Sequence, residues 1–430
     1  MKTSTTITAV LEEEPPSMTR LKSEVEEEPP SRTSPLNKDR LFSHVPQESW
    51  NDWCWQFRHR ITTVEELTKF LPLLAQEQVR LKLVTAKYPL AITPYYLSLI
   101  NRDDPDDPIR KQAVPSFAEI ALGGTGREDP LEEKRHSVVP GLVHRYPDRV
   151  LMVLTDVCPM LCRHCTRKRE WRHGSWVRTA AEIEAMFDYI RGNKSVRDVI
   201  ISGGDPLTLS NHHLEAVLSG LRRIPHVEII RIGTRFPVVL PQRIDDELCG
   251  ILSKYGPIWL NTHFNHPNEI TPEAALACDK LLRSGVPVNN QTVLLRGVND
   301  SVETQTKLCH GLLKIKVRPY YLFQCDEVQG TEHFHTPLGT GIKIMEHLRG
   351  YTSGLAIPTF VIDLPGGGGK VPLQPNYVLS QTEDEFTVRN YEGHIFHYRN
   401  PVVPSAPSAR LNRRSEARHG GRNQLTFCEF

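Results

Sequence analysis

The most regular feature of the chain is an alternation, from Arg149 onward, of short apolar runs with longer amphipathic stretches. Two of these stretches open with helix start signals. Thr179 and Glu182 are spaced as a capping box, and Pro272 stands at a first helical position. The alternation predicts parallel βα units, which fit both an open Rossmann sheet and a TIM-like barrel. The predicted strands are RVLMVLT, DVIISGG, VEIIRIGT, PIWLNTH, VPVNNQTVLL, RPYYLFQ and IPTFVID.

The segments on either side of this alternation differ in composition. Residues 1–40 contain the hexamer EEEPPS twice, and clustered Glu, Pro and Ser cannot bury enough apolar area to order a chain. Residues 404–430 are basic and polar. We predict a disordered acidic tail (1–40), a helical N-terminal region (41–140), a partial barrel (141–366), a lysine-bearing loop with a C-terminal segment (367–403) and a basic flexible tail (404–430).

Charge and composition exclude several classes of protein. The 52 Lys and Arg residues are balanced by 51 Asp and Glu residues, so the chain lacks the strongly basic character of a nucleic-acid-binding protein. No apolar run is long enough to cross a bilayer, and the first residues lack the apolar segment of a secretory signal. We expect a cytoplasmic protein whose nine cysteines do not form disulfides.

Three cysteines lie close together, directly after the first predicted strand. Cys158, Cys162 and Cys165 have the spacing C-x3-C-x2-C in the segment DVCPMLCRHCTRKRE, which is too polar for three structural core cysteines. A zinc site needs a fourth ligand, for which His164 is an awkward candidate. A [4Fe–4S] cluster held by three cysteines leaves one iron open to a small molecule. The spacing therefore favours the cluster.

A glycine-rich segment ends in a lysine after the last predicted strand. Asp363 is followed by Leu364 and Pro365, and four consecutive glycines then precede Lys370. A P-loop is excluded, because it requires Gly at position 364 and Ser or Thr at position 371. The glycines let the backbone approach a flat ligand, and a lysine there suits imine formation with an aldehyde cofactor such as pyridoxal phosphate.

The motifs as a set resemble those of one enzyme family. RYPDRV, CRHCTRKR, SGGD, WLNTHFNHPNEIT, LLRGVND, VRPYYLFQCD and PTFVIDLPGGGGK, spread over residues 145–392, are similar to segments of the lysine 2,3-aminomutases. The resemblance implies an α/β fold, a partial (βα)6 TIM-like barrel of the radical S-adenosylmethionine type. It also implies an isomerase in which S-adenosylmethionine on the open iron yields a 5′-deoxyadenosyl radical. An amino group then moves from the α to the β carbon of an amino acid bound through pyridoxal phosphate.

The same resemblance implies a role for each group of candidate site residues. Lys370 would form the imine with pyridoxal phosphate, and Arg167 would pair with the substrate carboxylate, a task that suits a planar bidentate donor. The three cysteines would hold the cluster. The cofactor contacts would come from Arg145, Tyr146 and Arg149 for pyridoxal phosphate, and from Ser202, Gly203, Gly204, Asp205, His263 and Gln291 for S-adenosylmethionine.

Two aspartates bear on the choice of substrate. Asp326 and Asp363 end two predicted strands that face one cavity, and two anions in one site require a cation between them or the protonation of one. The ε-ammonium of lysine meets this requirement, and family members that act on lysine carry Asp at both positions. Glutamate is disfavoured because its side chain is an anion. The sequence leaves open an arginine 2,3-aminomutase of a specialised biosynthetic pathway and, as another class, a non-catalytic iron–sulfur binding or sensing protein.

The chain departs from the family at a second metal site. Family members often carry a structural zinc between subunits, with one cysteine ligand after the GVND motif, but here Ser301 follows that motif and the tail offers only Cys428. We therefore expect no structural zinc. The usual tetramer is then in question, although we still expect a homo-oligomer. The expected partners are a small amino acid and an electron donor such as flavodoxin or ferredoxin, with no nucleic acid and no membrane.

Overall fold

The structure, a computed structural model, describes residues 37–122, 124–172 and 174–401. The predicted acidic tail lies outside the described residues as far as residue 36, and the basic tail 404–430 lies outside them entirely. The first described part is a series of short helices: α1 (Lys38–Leu41), α2 (Gln47–Asn51), α3 (Trp53–Arg58), α4 (Val64–Thr68), α5 (Ala75–Lys87), α6 (Pro94–Ser98), α7 (Pro108–Ala113) and α8 (Ala118–Ala121).

Helix α6 illustrates how this N-terminal region is joined to the rest of the fold. Thr93 caps the helix and Pro94 occupies its first position, where the missing N–H costs nothing. Tyr95 and Tyr96 are fully buried in an apolar core that continues into the sheet. The hydroxyl of Thr93 also donates to the carbonyl of Val239, at 2.7 Å. The N-terminal helices therefore share one core with the barrel.

The main sheet has ten strands in sequential order. They are β1 (Ser137–Val139), β2 (Leu142–Tyr146), β3 (Arg149–Val153), β4 (Asp198–Ser202), β5 (Ile229–Gly233), β6 (Ile258–Thr262), β7 (Val288–Leu294), β8 (Arg318–Gln324), β9 (Thr359–Leu364) and β10 (Gly369–Pro372). Strands β3 to β9 are parallel, whereas β1, β2 and β10 pair antiparallel at the two ends of the sheet.

The connecting helices complete the predicted βα units. They are α9 (Ala180–Gly192), α10 (Asn211–Arg222), α11 (Phe236–Val239), α12 (Asp246–Lys254), α13 (Pro272–Arg283), α14 (Val302–Lys314) and α15 (Leu338–Leu348). The Thr179 capping box of α9 and the first-position Pro272 of α13 are both confirmed. All seven predicted strands are present, and their sequential order excludes the Rossmann arrangement, which has a switch point. The partial barrel is confirmed, with six crossovers and a seventh parallel strand.

Side-chain alternation along the barrel strands separates a core face from a cavity face. In β3, Met152 is buried in the core, whereas Leu151 lines a cavity at the ends of the strands. In β5, Ile232 is buried and Arg231 lines the same cavity. Because successive side chains of a strand point to opposite faces, one set of strands supplies both the core and the site.

The chain after the barrel forms a separate small sheet, where the sequence predicts only a C-terminal segment. Its antiparallel strands are β11 (Val378–Gln381), β12 (Glu385–Arg389) and β13 (Ile395–Arg399). Every residue of β11 and β13 is exposed. No helix among the described residues combines the length and the apolar composition that a bilayer crossing requires.

Candidate active site

One cavity of about 670 Å³ lies where the barrel strands end, a size typical of small-molecule sites. It brings together all of the candidate residues from the sequence. They are Arg145, Tyr146, Arg149, Cys158, Cys162, Cys165, Arg167, Ser202, Gly203, Gly204, Asp205, His263, Gln291, Asp326, Asp363 and Lys370. The cysteine loop after β3 and the lysine loop after β9 therefore face the same chamber.

The three cysteines of the loop after β3 all line the cavity. Burial raises the pKa of Cys158, and the neighbouring sulfurs of Cys165 and Cys162 raise it further. Burial and Cys162 likewise raise the pKa of Cys165, to about 11. Across the described residues, no three His, Cys, Asp or Glu side chains converge on a single ion position. Three thiolates on one loop match the ligand number of a [4Fe–4S] cluster with one open iron, whereas a structural zinc ion takes four ligands.

A fully buried ion triplet fixes the loop that carries the cysteines. Glu119 of α8 accepts from Arg163 at 2.6 Å and from Lys168 at 2.7 Å, and these side chains are at most 1% exposed. Lys168 also donates to the carbonyl of Gly330, at 2.8 Å, on the loop that follows Asp326. Buried charges that are paired in this way hold their neighbours in one arrangement, so the N-terminal helices position the cysteine loop.

The Gly-Gly-Asp turn after β4 lies directly against the end of β3. A Cβ on Gly203, whose φ is +149°, would lie 2.3 Å from the carbonyl oxygen of Thr155. A Cβ on Gly204 would likewise lie 2.4 Å from backbone atoms of Asp156. Both glycines are therefore required by the close approach of two backbone segments.

The carboxylate of Asp205 in this turn is already surrounded by protein donors. It accepts from the hydroxyl of Thr234 at 2.7 and 2.9 Å and from the backbone N–H groups of Leu207 and Arg235 at 3.1 and 2.8 Å. Burial raises the pKa of Asp205 to about 7. In this structure the carboxylate joins the turn to the end of β5, and its contact with S-adenosylmethionine stays a prediction.

Arg167 is held by an acidic residue that the sequence analysis does not identify. Glu133 accepts from Nη2 of Arg167 at 2.6 Å and from Nε at 3.0 and 3.1 Å, while Nη1 donates to the carbonyl of Gly203 at 3.2 Å. Glu133 also accepts from Arg169 at 2.7 Å. Burial opposes ionisation, but Arg167 and Arg169 lower the pKa of Glu133 to about 2. Glu133 is thus an ionised clamp on one edge of the Arg167 guanidinium.

The lysine loop places an ammonium group on one of the two candidate aspartates. The β9–β10 register sets Lys370 opposite Asp363, and Nζ contacts the two carboxylate oxygens at 2.6 and 2.9 Å. The backbone N–H of Lys370 donates to the hydroxyl of Tyr146 at 3.1 Å, and Nζ lies 5.0 Å from the ring centre of Phe323. Burial raises the pKa of Asp326 to about 7, and Asp363 raises it as well, whereas Lys370 opposes the shift.

Arginines beside the lysine loop offer donors for a phosphate. Nη2 of Arg145 is buried and has no hydrogen-bond partner, and a Cβ on Gly369 would lie 3.4 Å from it. The guanidinium groups of Arg145 and Arg149 lie 5.3 and 4.0 Å from the ring centre of Tyr146. An unpaired buried guanidinium donor beside a lysine is chemically suited to hold a phosphate group there.

His263 and Gln291 both line the cavity and contact each other. Nδ1 of His263 donates to the carbonyl of Gln291 at 2.7 Å, which leaves Nε2 as an acceptor. Burial lowers the pKa of His263 to about 4, and the charge of Arg235 lowers it too. His263 is therefore a neutral acceptor at ordinary pH.

Several charged residues in or around the site were missed by sequence reasoning, among them Glu119, Glu133 and Arg235. Glu119 and Glu133 lie in the N-terminal segments, outside every quoted motif, and no local pattern indicates their partners. Arg235 lies directly after β5, and its position at a strand end is the signal that identifies it as a candidate.

Family models match two parts of the chain. The model described as the radical SAM superfamily matches residues 152–306, and the model described as lysine-2,3-aminomutase matches residues 345–416. The first match contains the cysteine loop and the turn after β4.

Curated relatives match most of the chain. The L-lysine 2,3-aminomutase of Acetoanaerobium sticklandii is 55% identical, over 85% of this chain and 88% of that protein. The L-lysine 2,3-aminomutase of Clostridium subterminale is also 55% identical, over 84% and 87%. The glutamate 2,3-aminomutase of Clostridioides difficile is 46% identical, over 81% and 82%. The chain belongs to the lysine 2,3-aminomutase family, within the radical S-adenosylmethionine superfamily.

Proposed function

We propose that this protein is an isomerase that interconverts L-lysine and L-β-lysine by moving the amino group between the α and β carbons. Its superfamily implies a [4Fe–4S] cluster and S-adenosylmethionine, and we propose pyridoxal phosphate as the third cofactor. When bound, the cluster with S-adenosylmethionine supplies a carbon radical, and pyridoxal phosphate supplies an aldehyde and a π system for the migrating nitrogen.

The observation that carries the choice of substrate is that one ammonium group pairs with Asp363 and also acts on Asp326. Lys370 Nζ contacts Asp363, and Lys370 also acts electrostatically on Asp326, whose pKa is raised to about 7 by burial and by Asp363. With pyridoxal phosphate bound, the amine of Lys370 would be joined to the cofactor aldehyde and would no longer be free to pair with Asp363. The two aspartates then need another cation, and the ε-ammonium of a lysine substrate supplies it.

The remaining residues of the chamber bind and orient. Glu133 already accepts from Nε and Nη2 of Arg167. We propose that the remaining N–H groups of this guanidinium hold the substrate carboxylate. Arg145, with its unpaired Nη2, and Arg149 hold a phosphate beside Lys370. Placing the reacting groups within one walled cavity keeps a radical close to its target and away from side reactions.

The same two carboxylates argue against the alternatives. A glutamate substrate would bring a third anion to Asp326 and Asp363, although a glutamate 2,3-aminomutase is among the relatives. Arginine also carries a cation and remains the second candidate. A non-catalytic iron–sulfur sensing protein is disfavoured, since it has no use for Lys370, Arg167 and both aspartates around one cavity.

The localisation, the electron donor and the oligomeric state are proposed together with the activity. We propose a cytoplasmic enzyme that is reduced by a flavodoxin or a ferredoxin and that assembles as a homo-oligomer without a structural zinc. Ser301, which stands where relatives carry a zinc-binding cysteine, caps helix α14 by accepting from the N–H of Thr304. Cys428 lies outside the described residues.

An anaerobic side-by-side assay tests the proposal. Protein reconstituted with iron, sulfide and pyridoxal phosphate is given S-adenosylmethionine, a reductant and one of L-lysine, L-arginine or L-glutamate. We expect β-lysine from L-lysine and no β-amino acid from the other two. Product from L-arginine alone would show that the substrate is arginine and not lysine. No product from any of them, with cluster and cofactor both bound, would favour the sensing protein.

A further inference from the structure

One buried cation touches a sulfur of the cysteine loop. Arg235, which is 7% exposed, donates from Nη1 to Sγ of Cys162 at 2.9 Å. Its Nε donates to the carbonyl of His263 at 3.0 Å, and its backbone N–H donates to Asp205 at 2.8 Å. The guanidinium is therefore fixed at the sulfur by contacts from several sides.

The charge of Arg235 is balanced by a carboxylate that lies at the other end of the guanidinium. Nη2 donates to Glu269 at 2.6 Å and to the side-chain oxygen of Gln112 at 2.6 Å. Glu269 is fully buried and also accepts from the hydroxyl of Tyr96, at 2.6 Å. Gln112 and Tyr96 belong to α7 and α6, so the N-terminal helices hold the carboxylate, the guanidinium and the sulfur in a row.

We propose that the Arg235–Glu269 pair sets the reduction potential of the iron–sulfur cluster, an inference that rests on the proposed ligation of the cluster by Cys162. Reduction adds one electron from an external one-electron donor, so the negative charge on the cluster and its thiolates increases. A cationic N–H donor at Cys162 stabilises that added charge, whereas the carboxylate of Glu269 opposes it. Hydrogen bonds to the ligating sulfurs and the local net charge are the means by which a protein tunes such potentials.

The two charges make opposite predictions, and this separates tuning from simple structural support. R235M removes the cation from the sulfur, so reduction becomes harder. E269Q removes the anion and leaves Arg235 uncompensated, so reduction becomes easier. Damage to the cluster pocket would instead move both variants in the same direction or lower the iron content of both.

The test is a redox titration of the reconstituted protein, followed by the electron paramagnetic resonance signal of the reduced cluster. For R235M we expect a reduced-to-oxidised ratio at least tenfold lower at a fixed potential, which corresponds to about 59 mV for one electron. For E269Q we expect a shift of opposite sign, and for R235M/E269Q a value between the two single variants. Iron content and the visible spectrum establish that each variant holds a cluster.

A matched control and a second route keep the inference falsifiable. R222M removes an arginine that donates to the carbonyls of Tyr255 and Pro257 and does not line the cavity, and its potential should equal that of the wild type. Unchanged potentials, or shifts of the same sign in R235M and E269Q, overturn the inference. If R235M does not retain iron, E269Q decides: a potential that is equal or lower overturns it. A wild-type protein that binds no cluster would overturn the proposed function itself.

Discussion

The two ends of the cavity are built in contrasting ways. At the cysteine end, Arg163 and Lys168 share Glu119 in a triplet that is almost completely buried. At the lysine end, the side chain of Lys370 is 36% exposed and makes one ion pair, with Asp363. The contrast indicates that the cysteine end is rigid in advance, as a permanent cluster requires, whereas the lysine end can exchange partners.

The backbone of the two loops shows the same difference. The lysine loop contains Gly366, Gly367 and Gly369 with φ of +66°, +74° and +99°. These conformations are open to glycine at little cost and leave the loop without side chains to pack. The cysteine loop instead carries large charged side chains that are tied to helix α8 and to the loop after β8, and the backbone N–H of Arg163 donates to the carbonyl of Gln112 in α7.

The largest expected effect separates chemistry from folding at the lysine end. K370A should abolish turnover and the visible absorption of bound pyridoxal phosphate, because the covalent anchor is lost. Iron content and the thermal midpoint should stay at wild-type values, since Lys370 is partly exposed and makes a single ion pair. A K370A protein that keeps the absorption band would show that another lysine binds the cofactor.

The second prediction concerns stability at the cysteine end. E119Q leaves two cations buried with reduced compensation, and breaking a buried pair of this kind costs about 3–5 kcal/mol of unfolding free energy. The measurement is urea unfolding of the protein without cofactors. E65Q, which breaks the surface pair between Glu65 and Lys82, is the matched control and should unfold at the wild-type urea concentration. Equal urea midpoints for E119Q and E65Q would contradict the conclusion that the cysteine end is the more rigid end of the cavity.

The third prediction tests whether Glu133 positions Arg167 for a carboxylate. E133Q removes a charged partner worth about 1.5–3 kcal/mol, so KM for L-lysine should rise about 10- to 100-fold while kcat changes less. Binding of 1,5-diaminopentane, which has no carboxylate, should be unaffected. E184Q, at an exposed pair with Arg191, serves as the control. A loss of diaminopentane binding in E133Q would indicate general damage to the site.

The smallest expected effect is a pH dependence of substrate binding. Asp326 has a raised pKa of about 7 and is therefore mostly protonated at pH 6 and mostly ionised at pH 8. The ionised form attracts a cationic side chain, so affinity for L-lysine should rise about tenfold over this range. Asp363, Lys370 and Glu133 are the charged groups that act on Asp326.

The control for this pH dependence is D326N, which has no charge to gain. Its affinity for L-lysine should be weaker than that of the wild type and flat between pH 6 and pH 8. The pH dependence of folding stability that arises from Asp326 has the opposite sign to the pH dependence of L-lysine affinity. Because the folded pKa of about 7 lies above the unfolded value of 3.8, Asp326 makes stability fall as pH rises between these two values, and this loss levels off above about pH 7. A wild-type affinity that falls with pH would contradict this role.

Much of the fold and the site is readable from the sequence, for local reasons. The seven parallel strands have short apolar runs, and the caps at Thr179 and Pro272 depend only on neighbouring residues. The candidate residues come together because parallel strands place their carboxyl ends at one edge. The cysteine spacing and the glycine-rich lysine are equally local signals.

The rest depends on contacts between distant segments. Glu133 meets Arg167 across 34 residues, and Arg235 meets Cys162 across 73. No periodicity or spacing specifies such pairs, because tertiary packing selects them from many equivalent charges. The C-terminal strands β11 and β13 escaped prediction for a related reason, since every one of their residues is exposed and neither strand contributes to a buried face.

The most direct test of the central claim, that the cysteines and Lys370 serve one chemical event, follows a hydrogen atom. Reconstituted protein is given S-adenosylmethionine, a reductant and L-lysine deuterated at C3, and the deuterium content of the adenosyl 5′ carbon is measured by mass spectrometry. We predict deuterium at that carbon together with β-lysine, and neither in K370A. Cleavage of S-adenosylmethionine by the wild-type protein without deuterium in its adenosyl product would contradict the account.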